Sequence, residues 1–147
     1  VDTETCNECH TRLSLHGDIR RDIQLCILCH TPQSTDAQSG NTVDMAAMTH
    51  KIHMGAGLPS VQGGDPYQIV GFGNTVHDYS TVAFPPAPQD VRNCESCHSG
   101  TAGAGSETFH LDNPTIEGCA SCHDRTWFGA EEDLPAGWDG LAQTWSG

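Results

Sequence analysis

Four copies of one short motif constrain this chain more than any other feature of its sequence. Each copy reads Cys-x-x-Cys-His, at residues 6–10, 26–30, 94–98 and 119–123. In covalent haem attachment, two thiols bond to the two vinyl groups of one porphyrin, and the next residue, His, lies under the iron as its proximal ligand. The sequence therefore predicts four haem c groups, each with an iron.

All eight cysteines of the chain belong to these motifs, and each is a candidate thioether position. They are Cys6, Cys9, Cys26, Cys29, Cys94, Cys97, Cys119 and Cys122. The candidate proximal iron ligands are His10, His30, His98 and His123.

Zinc and disulfides are the competing uses of paired cysteines. The first four cysteines fit a C-x2-C-x16-C-x2-C zinc spacing, whereas 21 residues separate Cys97 from Cys119. An even number of cysteines would also suit a disulfide framework. Neither alternative explains the His after every second Cys, so haem is the favoured interpretation.

The composition predicts a thin polypeptide core. Only 36% of the residues are hydrophobic and 6% are aromatic, and 16 Gly and 8 Pro favour irregular backbone. We expect one domain, mostly irregular loop with short α-helices and little strand, wrapped around four covalent haems. Because the cofactors would supply most of the apolar interior, the apo chain should be largely unfolded.

The charge of the chain and the chemistry of haem attachment limit its possible partners and location. Nineteen Asp and Glu oppose six Lys and Arg, a formal charge of −13, which argues against nucleic-acid binding. The sequence contains no run of 18 apolar residues, so no transmembrane segment is predicted. Haem c attachment takes place outside the cytoplasm, so we expect an exported chain, extracellular or at the cell surface, with the periplasm as the alternative. No signal peptide is visible, so Val1 is interpreted as close to a processed N-terminus or as the start of an excised piece.

The motifs fall into two pairs, whose first cysteines lie 20 and 25 residues apart. We therefore divide the domain into haem pair one at 1–57, a loop-rich connector at 58–93, haem pair two at 94–128 and a tail at 129–147. A helix is expected at 43–54, capped near Asn41, Thr42 and Asp44 and stopped by Gly55 and Gly57. Short helices should run into the motifs, for example at 18–29. Residues 58–88 are expected to be loop, with a short strand near 67–70.

Five histidines remain as candidate distal ligands for four irons, so one is spare or serves a neighbouring chain. They are His16, His50, His53, His77 and His110. His50 and His53 are i, i+3 neighbours on one helical face and could reach two adjacent haems. Two histidines per iron would give low-spin haems of low potential, suited to electron transfer. The methionines of the expected helix are interpreted as packing residues rather than axial ligands.

Several short runs of the chain occur together in a recognisable order. They include Cys6-Asn7-Glu8-Cys9-His10, Leu15-His16-Gly17, His50-Lys51-Ile52-His53, Leu58-Pro59-Ser60-Val61 and Val91-Arg92-Asn93-Cys94. In sequence and order these runs resemble the outer-membrane decahaem cytochrome family of metal-reducing bacteria. The resemblance covers roughly the first 100 residues and weakly the fourth motif. It implies closely stacked bis-His haems, electron transfer across the cell surface to metal oxides or flavins, and His16, His50 and His53 as distal ligands.

The chain also departs from that family. It has four motifs rather than five or ten, and it lacks the further His and fifth motif that follow the fourth in family members. A haem near the C-terminus could then borrow a His from the next copy, as in the polymerising cytochrome filaments that this small, acidic, haem-dense chain resembles. We therefore expect an electron-transfer protein rather than an enzyme, assembled as a filament. Its expected partners are copies of itself, redox cytochromes or extracellular acceptors.

Two other functions stay open. One is a monomeric periplasmic or cell-surface electron carrier, which needs no ligand from another copy. The other is a multihaem reductase of a small nitrogen oxide, which needs an open iron position and nearby acid–base groups.

Overall fold

The computed structural model describes residues 1–87, 89–98, 109–138 and 140–142. Position 88 of the expected connector, residues 99–108 of the expected haem pair two, and residues 139 and 143–147 of the expected tail lie outside this description. The helices are α1 (Thr3–His10), α2 (Ile23–Cys26), α3 (Met45–Met54), α4 (Pro59–Gln62), α5 (Glu95–His98), α6 (Phe109–Asp112) and α7 (Ile116–Cys122), with 3-10 turns at Gly55–Gly57, Phe72–Asn74 and Glu131–Asp133. The strands are β1 (Gln68–Val70), β2 (Val76–Asp78), β3 (Thr126–Trp127) and β4 (Leu141–Ala142). The predicted fold class, mostly loop with short helices and little strand, is thus confirmed for the described residues.

The longest helix, α3, forms close to its predicted position. Asp44 is its N-cap, and the side chain accepts a hydrogen bond from the Ala47 amide at 3.0 Å. The prediction began two residues too early because the capping residue lies outside the helix it caps. At the other end Gly55 stops the helix with φ +46°. The Met45 amide donates to the His30 carbonyl at 3.0 Å, which ties the start of α3 to the second motif.

Short helices carry or adjoin every motif, but the predicted helix at 18–29 is wrong over most of its length. Only Ile23–Cys26 is helical there, and Asp22 caps it through the Gln24 amide at 2.9 Å. Before it, Leu15 and Arg20 exchange backbone hydrogen bonds at 3.0 and 3.2 Å across a tight turn. Asp18 sits in that turn at φ +69°, a backbone conformation that no α-helix accommodates.

The connector has more structure than the expected loop. The strand predicted at 67–70 is confirmed as β1, and it pairs antiparallel with β2, which the sequence did not reveal. The register joins Ile69 to His77. The turn between the strands uses Gly73 and Asn74 at φ +68° and +60°. β2 is three exposed residues without an apolar alternation, so periodicity gave no signal for it.

The polypeptide buries few hydrophobic side chains. Among the described residues, only Leu58 and Tyr67 are both large, hydrophobic and buried. The Tyr67 hydroxyl donates to the Thr42 carbonyl at 2.6 Å, and its ring meets Tyr79. Elsewhere α3 packs on α7, while Leu28 and Phe72 stay exposed. No helix in the described part of the chain is long and apolar enough to cross a membrane.

Candidate haem-ligand site

The cysteine side chains do not cluster into a metal-binding group. No cysteine forms a disulfide, and all eight lie in the part of the chain that the structure describes. No three or more His, Cys, Asp or Glu side chains among the described residues converge in a metal-binding group. A structural zinc site needs four converging ligands, so the arrangement does not fit the zinc alternative.

The thiols nevertheless place three motifs near one another. Partial desolvation raises the pKa of Cys6, and the next cause is the charge of Cys97 in the third motif. Partial desolvation likewise raises the pKa of Cys97, followed by the charge of Cys9 in the first motif. The pKa of Cys122 is raised by burial and then by Cys94. The third motif therefore lies near both the first and the fourth.

Three of the four motif histidines face a histidine from elsewhere in the chain. The ring centres of His10 and His53 are 5.9 Å apart, with an interplanar angle of 79°. Those of His30 and His16 are 6.0 Å apart, at 35°. Those of His98 and His50 are 6.2 Å apart, at 19°. The structure thus brings together each of the distal candidates His16, His50 and His53 with a different motif.

These separations can be compared with what an iron between two imidazoles requires. A metal–nitrogen bond of about 2.0 Å, with the ring centre about 1.1 Å behind the nitrogen, puts the two ring centres about 6.2 Å apart. The three observed separations lie within a few tenths of an ångström of that value. The residues present therefore fit bis-His coordination at three of the motifs.

Hydrogen bonds orient two of these rings for binding through Nε2. Nδ1 of His30 lies 2.7 Å from the Val43 carbonyl, and Nδ1 of His53 lies 2.8 Å from the Thr49 carbonyl. Since a carbonyl only accepts, Nδ1 carries the proton in each ring and Nε2 is left for a metal. The partner of His53 is the residue one helical turn earlier, so α3 itself sets the orientation of that ligand.

His50 is oriented less completely. Its Nδ1 is buried without a hydrogen-bond partner. Burial lowers the pKa of His50, and the Ala46 carbonyl one turn earlier opposes that shift without reaching hydrogen-bond geometry. Burial also lowers the pKa of its neighbour His98, with His110 as the next cause. Both rings are therefore biased towards the neutral form, which is the form that binds a metal.

A tight polar turn presents His16. The residue itself has φ +51°, and partial desolvation followed by Arg20 and His30 lowers its pKa. Asp18 holds the turn together, because its carboxylate accepts from the Ser14 hydroxyl and from Arg12 and Arg21. The Ser14 hydrogen bond, followed by charged partners, lowers the pKa of Asp18. Three of the chain's six basic residues thus belong to this turn or bind Asp18 within it: Arg12, Arg20 and Arg21.

The fourth motif has no such partner. Among the described residues, no imidazole lies in ring contact with His123. The candidate His110 instead lies 4.8 Å from His98, a separation too short for an intervening iron by the estimate above. Its Nδ1 is buried without a partner. His77 is exposed on β2 and faces its own hairpin, since a Cβ built on Gly71 would lie 2.7 Å from His77 Nε2.

Two features of this site have no signal in the sequence. The Phe84 ring meets the edge of His53 at 5.8 Å between centres, although 31 residues separate them. Lys51 forms a buried ion pair with Asp124 at 2.6 Å, which joins α3 to the residue after the fourth motif. Both contacts depend on how distant segments pack, so spacing alone does not indicate them.

The fold and the pairing of motif histidines with other histidines are those expected of a multihaem c-type cytochrome domain. Residues 1–136 match the family model described as outer membrane cytochrome MtrC/MtrF-like, domains II/IV. The chain belongs to this family, and the match extends beyond the fourth motif, further than the resemblance read from short runs. No curated protein sequence matches the chain.

A solved structure supports the same family. The chain is similar to the crystal structure of the outer membrane decaheme cytochrome OmcA, with 34% identity and a TM-score of 0.68. The similarity covers 85% of this chain and 19% of the OmcA chain. The chain thus spans about a fifth of the length of that relative.

Proposed function

We propose that this chain is an electron-transfer domain that binds four haem c groups, and that it assembles as a subunit of an extracellular cytochrome filament. The observation that carries the electron-transfer part is the set of three imidazole pairs with ring centres 5.9 to 6.2 Å apart. Family membership agrees with it. The eight motif cysteines would hold the porphyrins covalently, within a single domain in which the polypeptide wraps the cofactors.

The ligand assignment follows from these pairs. His53 would be the distal ligand opposite His10, His16 opposite His30, and His50 opposite His98. α3 would then serve the first and third motifs from one face, and the turn at residues 15–20 would serve the second. When bound, the haems would supply one-electron transfer chemistry, and the paired histidines would hold the irons without a substrate.

The side chains favour transfer over catalysis at the metal. Two histidines would hold each iron at the first three motifs, which would leave no place there for a small substrate. Hydrogen bonds from Nδ1 to Val43 and Thr49 fix two of the rings, which keeps their ligation rigid. A reductase of small nitrogen oxides would need an open iron, and the fourth motif is the one place where the described residues leave a ligand unassigned.

Assembly is proposed from that fourth motif. His123 needs a distal ligand, and two candidates are unpaired with it: His110 next to His98, and exposed His77 on the β1–β2 hairpin. A His77 reaching the fourth haem of the next copy would join copies head to tail and could continue without closing, which builds filaments. Such a filament would lie outside the cell or at its surface, and would exchange electrons with redox cytochromes or extracellular acceptors. If His110 serves His123 in the same chain, a monomeric carrier of the periplasm or cell surface is the function instead.

Electron microscopy of the natively purified, haem-loaded protein tests this assembly. We expect uniform filaments, four haems per chain by intact mass, and low-spin ferric signals throughout. His77→Ala should abolish filaments and create one high-spin ferric haem, whereas His110→Ala should leave both properties unchanged. Single particles with four low-spin haems would support the monomeric carrier, and a high-spin haem in the native protein would support the reductase.

A further inference from the structure

Lys51 and Asp124 form an ion pair that is more buried than the other ion pairs of the described residues. Their side chains are 17% and 8% exposed, and Lys51 Nζ lies 2.6 Å from Asp124 Oδ2. Ser60 completes the group, because its amide donates to Asp124 Oδ1 at 3.0 Å and its hydroxyl to Oδ2 at 2.6 Å. Both carboxylate oxygens are therefore satisfied by fixed donors. We call these three residues the clamp.

The clamp joins segments that carry candidate haem ligands. Lys51 lies between His50 and His53 in the sequence, but on a different face of α3 from those two histidines. Asp124 directly follows His123, and Ser60 lies in the first turn of α4. The clamp thus connects the helix that carries two distal candidates to the motif whose distal ligand is unassigned.

Tyr67, which is buried, contacts the cation of the clamp. Lys51 Nζ lies 5.5 Å from the centre of the Tyr67 ring, within the range of a cation–π interaction. The Tyr67 hydroxyl is fixed on the Thr42 carbonyl at 2.6 Å. The ammonium group is therefore held by the ring on one side and by the carboxylate on another.

A largely buried ion pair is seldom needed to hold two segments together. Moving both charges out of water costs free energy that their attraction often does not offset, and hydrophobic side chains of similar size would stabilise the contact as well. Electrostatic influence on the fourth motif offers a reason for the charges. Asp124 directly follows His123 in the sequence, and Lys51 Nζ lies 2.6 Å from its carboxylate. Two charges of opposite sign therefore lie beside the fourth motif.

We propose that Lys51, Asp124 and Ser60 position the fourth haem motif against α3 and hold the reduction potential of the haem bound there by keeping two opposite charges paired beside it. This inference rests on the proposed binding of a haem at the fourth motif. The three residues are positioning residues, since they act through His123 and through the local field. An unpaired cation near an iron stabilises the ferrous state and raises the potential, and an unpaired anion lowers it.

Three variants of the full haem-loaded chain separate the charge effect from loss of structure. Lys51→Met leaves the Asp124 carboxylate held by Ser60, and should lower the midpoint potential of one haem. Asp124→Asn leaves the Lys51 ammonium, and should raise the midpoint potential of the same haem. The double variant removes both charges and should return that potential close to the wild-type value. Spectroelectrochemical titration measures the potentials, and intact mass confirms four haems before each titration.

The exposed pair of Arg92 and Asp90 is a matched control. Its nitrogen–oxygen distance is also 2.6 Å, but the Arg92 and Asp90 side chains are 82% and 27% exposed, both more than those of the clamp. Because water screens an exposed pair, Arg92→Met and Asp90→Asn should leave all four potentials unchanged. If the clamp variants shift potentials no more than these controls do, or if both single variants shift them in the same direction, the proposal is overturned.

Two milder variants keep the test decisive if a clamp variant fails to load haem. Lys51→Arg keeps the charge and should keep the wild-type potentials, while Ser60→Ala removes one hydrogen bond to the carboxylate and should broaden or shift the low-spin signal of one haem. Unchanged signals in Ser60→Ala, together with shifted potentials in Lys51→Arg, would refute the clamp. Fewer than four haems in the wild-type protein would instead refute the proposed function, so the two failures can be told apart.

Discussion

Replacing Gly55 by Ala should destabilise the protein because the end of α3 has no room for a side chain. Gly55 has φ +46°, in the region where L-residues are strained. A Cβ placed there would lie 2.7 Å from Val82 Cβ and 2.9 Å from the Val82 carbonyl carbon. The Val82 segment cannot easily withdraw, since its carbonyl accepts a hydrogen bond from the Ala56 amide at 2.9 Å.

The magnitude has two parts. The left-handed backbone conformation costs about 1–2 kcal/mol for a residue with a Cβ. Overpacking against a fixed backbone adds about 1–3 kcal/mol. The expected loss in the free energy of unfolding for Gly55→Ala is therefore about 2–5 kcal/mol by these two terms.

Gly40→Ala is the matched control. Gly40 also has a positive φ, +73°, but nothing lies within 4 Å of a Cβ placed there. It should lose only the conformational part, about 1–2 kcal/mol. Guanidinium denaturation of the haem-loaded variants, followed by far-ultraviolet circular dichroism, measures both losses. Equal losses in the two variants would show that the approach of Val82 does not limit this position, and that the reasoning from packing is wrong.

Three further substitutions test the contacts around α3 and the connector. Asp44→Ala removes the N-cap of α3 and should cost about 1 kcal/mol of unfolding free energy in the same denaturation assay, with Asp44→Asn close to wild type. Tyr67→Phe leaves the Thr42 carbonyl without its donor and should cost about 1–3 kcal/mol; an unchanged midpoint would mean that water replaces the hydroxyl. The Ser39 hydroxyl, followed by other hydrogen bonds, lowers the pKa of Asp36 from 3.8 to about 2, so this carboxylate stabilises the fold above pH 3.8 and its contribution is lost as the pH falls towards 2. Asp36→Asn should therefore be less stable than wild type at neutral pH, and the difference should shrink between pH 4 and pH 2, whereas a pH-independent difference would contradict the assignment.

The sequence predicts best those features that depend on residues close together in the chain. The helix at 43–54 was located because its capping aspartate and terminating glycine act within one turn. The His50 and His53 spacing indicated ligands for two different haems, and the structure does place these rings next to two different motifs. The family was recognised from runs of a few residues, and the family model confirms it.

Predictions that depended on distant segments were less complete. The helix expected at 18–29 is short because the polar side chains of residues 14–21 favour a turn closed by Asp18 over helical hydrogen bonds. The five distal candidates could be counted but not assigned, since each assignment joins residues 14 to 48 positions apart. The clamp joins residues 73 positions apart and follows no periodic pattern.

The scarcity of buried hydrophobic residues explains why apolar periodicity predicts few helices or strands in this chain. In an ordinary domain a helix or strand shows its buried face as a regular apolar pattern, because that face must cover a polypeptide core. Here the described residues bury two such side chains, while Leu28, Leu111 and Phe72 remain exposed on or near segments that carry motifs or candidate ligands. Under the proposed function the porphyrins would cover such apolar surface. Each segment would then pack on a flat cofactor rather than on another helix or sheet, and would need no periodic apolar pattern. The informative patterns are then thiol spacing, imidazole placement and caps, which are chemical and local. By the same reasoning, a variant that loses a thioether bond should perturb the fold more than one that truncates an exposed leucine.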